Sequence, residues 1–189
     1  MSHVVESWYG DTFLFDESDG LYFSLWSFSM HDKKATAFGS VRSEGATNAV
    51  FSPDGRWVAY QEIHGTRTEA YVQRFPPTDE RHQVPVRRDN HHPLWSRDGK
   101  ELYYVPGPDE YLAVSVTTAP SFSFGDPIPI LGNHLLNLSP TNPRPYDVTR
   151  DGKFVGLVSS GNSDAGGAPD QINVVLNWFH EFADRVPAK

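Results

Sequence analysis

A short motif that occurs three times constrains the fold of this chain more than any other feature of its 189 residues. Each copy has an apolar run, Ser or Thr, Pro or Arg, Asp-Gly, a basic residue and a second apolar run. The copies span residues 49–60, 93–104 and 146–157. Asp is favoured within a type I turn, and Gly adopts the left-handed conformation that follows such a turn. Each copy therefore predicts a β-hairpin.

The spacing of the motif indicates a repeat architecture. Its Asp-Gly pairs lie at 54–55, 98–99 and 151–152, so successive copies are 44 and 53 residues apart, and a weaker copy precedes them at residues 7–15. Further strand-like segments follow each hairpin. Four strands in a unit of about 40–45 residues are typical of a β-propeller blade. We therefore expect an all-β propeller of about four four-stranded blades, which forms a partial ring or half of a larger ring.

The repeat also predicts boundaries within a single domain, residues 1–189. The expected blades cover residues 3–43, 46–87, 91–132 and 144–178. The first strand-like segment, residues 4–8, either begins the first blade or closes the fourth. Apolar residues with helical spacing predict a short C-terminal helix over residues 178–186, which ends before Pro187.

Composition excludes several classes of function. The chain has 24 Asp and Glu against 16 Lys and Arg, a net charge of −8, which argues against a nucleic-acid partner. It contains no cysteine, which excludes disulfides, thiolate metal sites and a cysteine nucleophile. Its longest apolar stretches are too short to span a bilayer, so no membrane insertion is expected. The first residues lack the features of a signal peptide.

Four segments, residues 51–60, 71–76, 95–103 and 172–179, resemble the TolB-like β-propeller repeats of bacteria. The chain looks most like the propeller region that ends many bacterial Ser/Thr-kinase-linked or sensor-type proteins. The resemblance implies a ring of six or more blades, and relatives in the periplasm or outside the cell. The chain is then part of a longer propeller, a small closed ring, or half of a homodimer that completes one ring. We favour the dimer.

Candidate contact residues come from a long loop and from the expected central channel. The loop at residues 132–144 is rich in Pro and Asn, and its apolar Leu135, Leu136 and Leu138 are candidate contacts for a protein or peptide partner. Because the first strands of propeller blades converge on a channel, His92 and Asp147 are candidate binding residues there. Glu6 is the third side chain that this geometry directs towards the channel.

The residues give little support for catalysis. No Gly-x-Ser-x-Gly motif is present, and the adjacent His91 and His92 should point to opposite faces of a strand. We therefore expect no metal, no cofactor and no catalytic residue. The sequence favours a non-catalytic module for recognition of proteins or ligands. The alternative is a propeller enzyme, such as a metal-dependent lactonase-like hydrolase, with His and Asp or Glu around the channel.

Overall fold

The computed structural model describes residues 1–86, 89–107, 110–131 and 139–157, which form antiparallel β-structure. The strands of these residues are β1 (Ser2–Tyr9), β2 (Thr12–Ser18), β3 (Phe23–Ser29), β4 (Lys34–Ala37), β5 (Val50–Phe51), β6 (Trp57–His64), β7 (Arg67–Arg74), β8 (Arg81–Gln83), β9 (His91–Trp95), β10 (Glu101–Gly107), β11 (Glu110–Thr117), β12 (Ser123–Phe124), β13 (Ile128–Leu131), β14 (Tyr146–Val148) and β15 (Phe154–Gly156). Within the described ranges, no helix has the length and apolar character needed to cross a membrane.

The strands form three blades and a further hairpin. Blade 1 is β1-β2-β3-β4, blade 2 is β5-β6-β7-β8, and blade 3 is β9-β10-β11-β12, with β13 also paired to β11. The hairpin is β14-β15. This order confirms the expected all-β, partial propeller. Because β1 pairs with β2, the N-terminal strand begins the first blade. The remainder of the expected fourth blade, up to residue 178, and the helix expected at residues 178–186 lie outside the described residues.

The repeated motif forms the same turn in all three places. Ser52 Oγ donates a hydrogen bond to Asp54 Oδ1 at 2.6 Å and accepts one from the Trp57 N–H at 3.0 Å. The same two bonds are made by Ser96 with Asp98 and Glu101, and by Thr149 with Asp151 and Lys153. The glycine of each turn is left-handed, with φ of +69°, +71° and +82°. The motif therefore specifies the turn by local hydrogen bonding alone.

Apolar side chains hold neighbouring blades together in series. The second and fourth residues of β6 and β10 face the preceding blade, whereas the third residue faces the following one. The clusters are Leu14, Leu25, Phe38, Val58 and Tyr60 between blades 1 and 2; Trp57, Ala59, Leu102 and Tyr104 between blades 2 and 3; and Tyr103, Val105, Tyr146 and Phe154 between blade 3 and the hairpin. Each blade thus buries one face against each neighbour.

Two of the turn glycines allow a matched test of this packing. A Cβ at Gly55 would lie 2.1 Å from the ring of Tyr9 in blade 1, whereas one at Gly99 has Pro53 at 3.5 Å as its nearest neighbour. Both substitutions by Ala place a side chain in the left-handed region, at about 1–2 kcal/mol. We expect Gly55→Ala to cost about 1 kcal/mol more, because the Tyr9 ring must leave its contact with Phe51.

Chemical denaturation of the two variants measures this difference. In a Tyr9→Ala background the two glycine substitutions should have equal effects on the free energy of unfolding. A difference that persists without the Tyr9 ring would show that its cause is not this contact.

Candidate functional site

The first strands of the sheets lie side by side, and buried polar side chains gather around them. The Phe51 N–H of β5 donates to Ser7 Oγ of β1 at 3.2 Å, and the Tyr146 hydroxyl of β14 donates to the carbonyl of His92 in β9 at 2.6 Å. We call this group the axial cluster; it comprises Glu6, Asp16, Thr47, Asn48, Gln61, His91, His92 and Arg144. It joins blades 1, 2 and 3 to the segment that precedes β14.

Two carboxyl groups of blade 1, those of Glu6 and Asp16, interact in this cluster. Burial, together with the neighbouring charge of Asp16 and its hydrogen bond, raises the pKa of Glu6 to about 8. Burial also raises the pKa of Asp16, although hydrogen bonds from Thr47 act in the opposite direction. The backbone N–H and the hydroxyl of Thr47 each donate to Asp16 at 2.7 Å. Burial thus raises the pKa of both carboxyl groups, and the two hydrogen bonds from Thr47 favour the ionised form of Asp16.

The two histidines come together, and the expectation that they point to opposite faces is wrong. His92 has a φ of +53°, which interrupts the alternation of side chains along β9. As a result His91 Nδ1 lies 2.8 Å from His92 Nδ1. Burial lowers the pKa of His91 to about 3 and that of His92 to about 4, so both rings are neutral. His92 Nε2 donates to the carbonyl of Asn142 at 2.9 Å, and its Nδ1 accepts from His91.

Side chains of the cluster bind the backbone of residues 140–144. Gln61 Nε2 donates to the carbonyl of Pro140 at 2.7 Å, and Asn48 Nδ2 donates to the carbonyl of Asn142 at 3.1 Å. In return, the Arg144 N–H donates to Asn48 Oδ1 at 3.0 Å. The Arg144 guanidinium donates to the carbonyl of Pro93 at 2.8 Å. The axial cluster therefore acts as an internal anchor for an extended segment of the same chain.

The structure separates the residues that the sequence assigned to the channel. His92 is fully buried in the axial cluster, and Glu6 lies there too. Asp147 does not: its side chain is 68% exposed, and it lies 3.9 Å from Arg97 at the outer side of the hairpin. This placement follows from strand alternation, because Tyr146 and Val148 on either side of Asp147 face blade 3. The loop candidates Leu135, Leu136 and Leu138 lie outside the described residues.

A second candidate site lies on the face of blade 1 that points away from blade 2. Direct strand pairing aligns its side chains in two rows. One row consists of Val5, Phe15, Trp26 and Ala37, and the other consists of Trp8, Phe13, Phe28 and Ala35. We call the two rows together the outer aromatic face. The rings of Phe13 and Phe28 stack at 5.2 Å, and those of Phe15 and Trp26 at 6.5 Å. Neither row contains a charged residue.

Comparison between blades shows that this face lacks its usual neighbour. Phe13 and Phe15 are the second and fourth residues of β2. The equivalent residues are Val58 and Tyr60 in β6, and Leu102 and Tyr104 in β10. All four side chains are 0% exposed, because the preceding blade covers them. Phe13 and Phe15 remain partly exposed, while Val5 is 66% and Trp8 56% exposed. The outer aromatic face is therefore a blade-packing surface without a blade on it in the described structure.

Sequence reasoning missed this face and most of the axial cluster. The segments Phe13-Leu14-Phe15 and Trp26-Ser27-Phe28 carried a usable signal. Their alternation places four aromatic rings on one face of a hairpin, and a face in contact with solvent alone seldom has so many. Nothing comparable marks Asn48 or Arg144, which meet only in the folded chain. Among the described residues, no group of three or more His, Asp or Glu is arranged to hold a metal ion.

Solved structures with the same architecture include TolB from Acinetobacter baumannii, 17% identical with a TM-score of 0.62; the match covers 82% of this chain and 37% of that one. The β-propeller domain of the Trilobed protease from Pyrococcus furiosus is 13% identical with a TM-score of 0.51, over 93% of this chain and 57% of that chain. A functionally unknown protein from Desulfotomaculum acetoxidans is 14% identical with a TM-score of 0.51, over 88% and 57%.

No protein-family model matches the chain, and no curated protein matches it in sequence. The chain spans 37% of TolB and 57% of the Trilobed protease domain. These likenesses, at less than 25% identity, concern the fold. Together with the stacked blades and their repeated turns, they show that the chain has a β-propeller fold similar to that of TolB.

Proposed function

We propose that this chain is a non-catalytic recognition module that binds a protein partner through the outer aromatic face of blade 1. The observation that carries the proposal is the partial exposure of Phe13 and Phe15 at positions that are fully buried in blades 2 and 3. Large contiguous apolar patches on folded proteins mark interaction sites. The face is presented by a four-stranded sheet whose opposite side packs on blade 2, so it is held in place before binding.

The axial cluster supports a structural role rather than a catalytic one. Both nitrogens of His92 are engaged in hydrogen bonds, and Asp16 accepts two hydrogen bonds from Thr47. The amide of Gln61 is likewise bound, to the carbonyls of Ala46 and Pro140 and to the His92 N–H. A general base needs a free lone pair directed at its substrate. The side chains of the axial cluster are already bound to other parts of the chain, and they instead hold the blades and residues 140–144 together.

Site-specific photocrosslinking tests the proposed binding surface. Benzoylphenylalanine is introduced in place of Trp8, so the outer aromatic face keeps an aromatic side chain at this position. The matched control carries it at Leu21, which is 77% exposed in a turn outside the two rows. On irradiation in the source cells, position 8 should give discrete protein adducts that position 21 does not give. Equal adduct patterns at both positions would rule out a specific partner at this face.

The enzymatic alternative has its own measurement. The purified chain should show no hydrolysis of a panel of chromogenic lactones and esters when supplied with Zn²⁺ or Ca²⁺. A metal-dependent turnover that disappears in a His92→Ala variant, with the fold unchanged by circular dichroism, would instead assign catalysis to the axial cluster.

A further inference from the structure

We infer that the outer aromatic face of blade 1 pairs with the same face of a second copy of this chain, in a two-fold symmetric dimer. This inference rests on the proposed function, because it names the partner for the same surface. It begins from the packing already described, in which each blade interface is formed by apolar side chains of two facing sheets. The natural cover for an exposed blade face is therefore another apolar sheet face.

The composition of the face favours self-pairing. A two-fold contact places the same patch on both sides, so any charge in it meets a like charge on the other copy or is buried. The two rows avoid this cost, since they consist of aromatic residues, Val5 and two alanines. The cross-strand pair next to the rows is His3 of β1 and Glu17 of β2. Both residues are ionisable, and they lie at one edge of the rows.

The other end of the described stack does not offer a comparable surface. Its outward side carries Asp147, which is 68% exposed and lies 3.9 Å from Arg97. A head-to-tail contact would place this carboxylate against the aromatic rows, where it would lose solvation without gaining a cation. Pairing of two outer aromatic faces instead covers Val5 and Trp8, the most exposed apolar residues of the rows, on both copies at once.

The size of the face sets the expected strength of the dimer. Four strands are about 19 Å wide and the two rows extend about 14 Å along them, so the face measures roughly 270 Å² in projection. Two such faces bury on the order of 550 Å², which is the size of a weak, transient contact. We therefore expect a dimer that forms only towards the upper part of the micromolar range rather than a permanent one.

Sedimentation velocity of the purified chain, from about 1 to about 300 µM, tests the inference. The mass should rise from 21.2 kDa towards twice that value and stop there. Val5→Lys should raise the dissociation constant about tenfold or more, because it places a charge in the contact. Val4→Lys is the matched control: Val4 precedes Val5 on β1, points to the opposite side of the strand and is 46% exposed. It should change the constant less than about twofold.

A mixing experiment distinguishes the two-fold contact from a head-to-tail one. Fluorescently labelled Val5→Lys chain is sedimented with an excess of unlabelled wild-type chain. In a two-fold dimer every contact of the labelled chain includes its variant face, so most of the label should remain monomeric when the wild-type concentration is near the wild-type dissociation constant. In a head-to-tail assembly its other end would still bind a wild-type outer aromatic face, and the label would sediment with the dimer.

Each remaining outcome overturns the inference. These outcomes are a monomer over the whole concentration range, a dimer that Val5→Lys and Val4→Lys affect equally, and co-sedimentation of the label with the wild-type chain. Failure here is distinguishable from failure of the proposed function. A monomeric chain that still gives specific adducts at position 8 would bind a different protein at the same face.

Discussion

Replacing Glu6 by Gln should stabilise the protein at pH 8 by roughly 4 kcal/mol, while leaving its stability near pH 4 almost unchanged. In the wild-type chain the folded state holds a proton on Glu6 up to about pH 8, against an ordinary pKa of 4.5. Gln resembles the protonated carboxyl group: its amide can donate to Asp16, and its oxygen can accept from the Ala49 N–H that Glu6 binds.

The sign of the pH dependence follows from proton linkage. Between pH 4.5 and about 8 the folded state binds more protons than the unfolded state, because only the unfolded chain releases the Glu6 proton there. The contribution of Glu6 to stability is therefore complete below pH 4.5, falls as the pH rises, and is lost above about 8. The loss is about 1.4 kcal/mol for each unit by which the pKa is raised.

Urea denaturation at a series of pH values measures this effect. As the pH rises from 4.5 to about 8, the free energy of unfolding of the wild type should fall relative to that of Glu6→Gln. Glu17→Gln is the control, since Glu17 lies next to Asp16 on β2 but points to the opposite side of the sheet. Its pH profile should follow that of the wild type. Parallel profiles for Glu6→Gln and the wild type would mean that the folded chain does not raise the pKa of Glu6.

The second large effect is expected at Asn48, where substitution by Ala should cost about 3 kcal/mol. Asn48 is 4% exposed, and its side chain bonds both the carbonyl of Asn142 and the N–H of Arg144. Its removal leaves the partly buried backbone N–H of Arg144 without this acceptor, at about 1–3 kcal/mol. Asn48 also has a φ of +47°, a conformation that costs Ala roughly 1 kcal/mol more than Gly.

Asn48→Gly separates these two causes. Gly adopts the left-handed conformation without strain but makes no side-chain hydrogen bond, so it should cost about 2 kcal/mol. Chemical denaturation at pH 7 measures both variants. If Asn48→Ala and Asn48→Gly were both as stable as the wild type, residues 140–144 would not be anchored to blade 2 in the way described.

Together the two predictions describe the axial cluster as the joint between blades. Glu6 and Asp16 connect β1 and β2 to residue 47, and Asn48 connects the next residue to the segment before β14. Loss of either connection should loosen neighbouring blades without altering the outer aromatic face, which lies on the opposite side of blade 1. Stability and binding should therefore respond to different substitutions.

The hairpins were predictable because their cause is local. Ser52, Asp54 and Gly55 form a turn by hydrogen bonds that span at most five residues, and the same bonds recur at Ser96 and Thr149. Aromatic residues on the strands of the predicted hairpins, among them Trp57, Tyr60 and Tyr104, are buried in the core. A repeated local pattern of this kind specifies the blade architecture without knowledge of contacts between blades.

Alternation failed where the backbone departs from the extended conformation. His91 and His92 meet because His92 has a positive φ, and that conformation depends on contacts distant in sequence: its N–H binds Gln61, and its carbonyl accepts from Tyr146. His is enriched among the non-glycine residues with positive φ, but the conformation stays uncommon for it, so the residue type at position 92 did not suffice to predict it. The raised pKa of Glu6 was hidden for the same reason, because burial by other elements is its main cause.

The sequence by itself determined the hairpins, their repeat and therefore the propeller fold, because turn chemistry and the two-residue period of strands act over a few neighbouring residues. Only the tertiary structure decided which polar side chains meet and which apolar face is left uncovered by the described residues. Those properties depend on how whole blades stack: stacking buries Tyr60 and Tyr104, anchors residues 140–144, and leaves Phe13 and Phe15 partly exposed. Residues with the same local pattern are thus core in one blade and partly exposed in another.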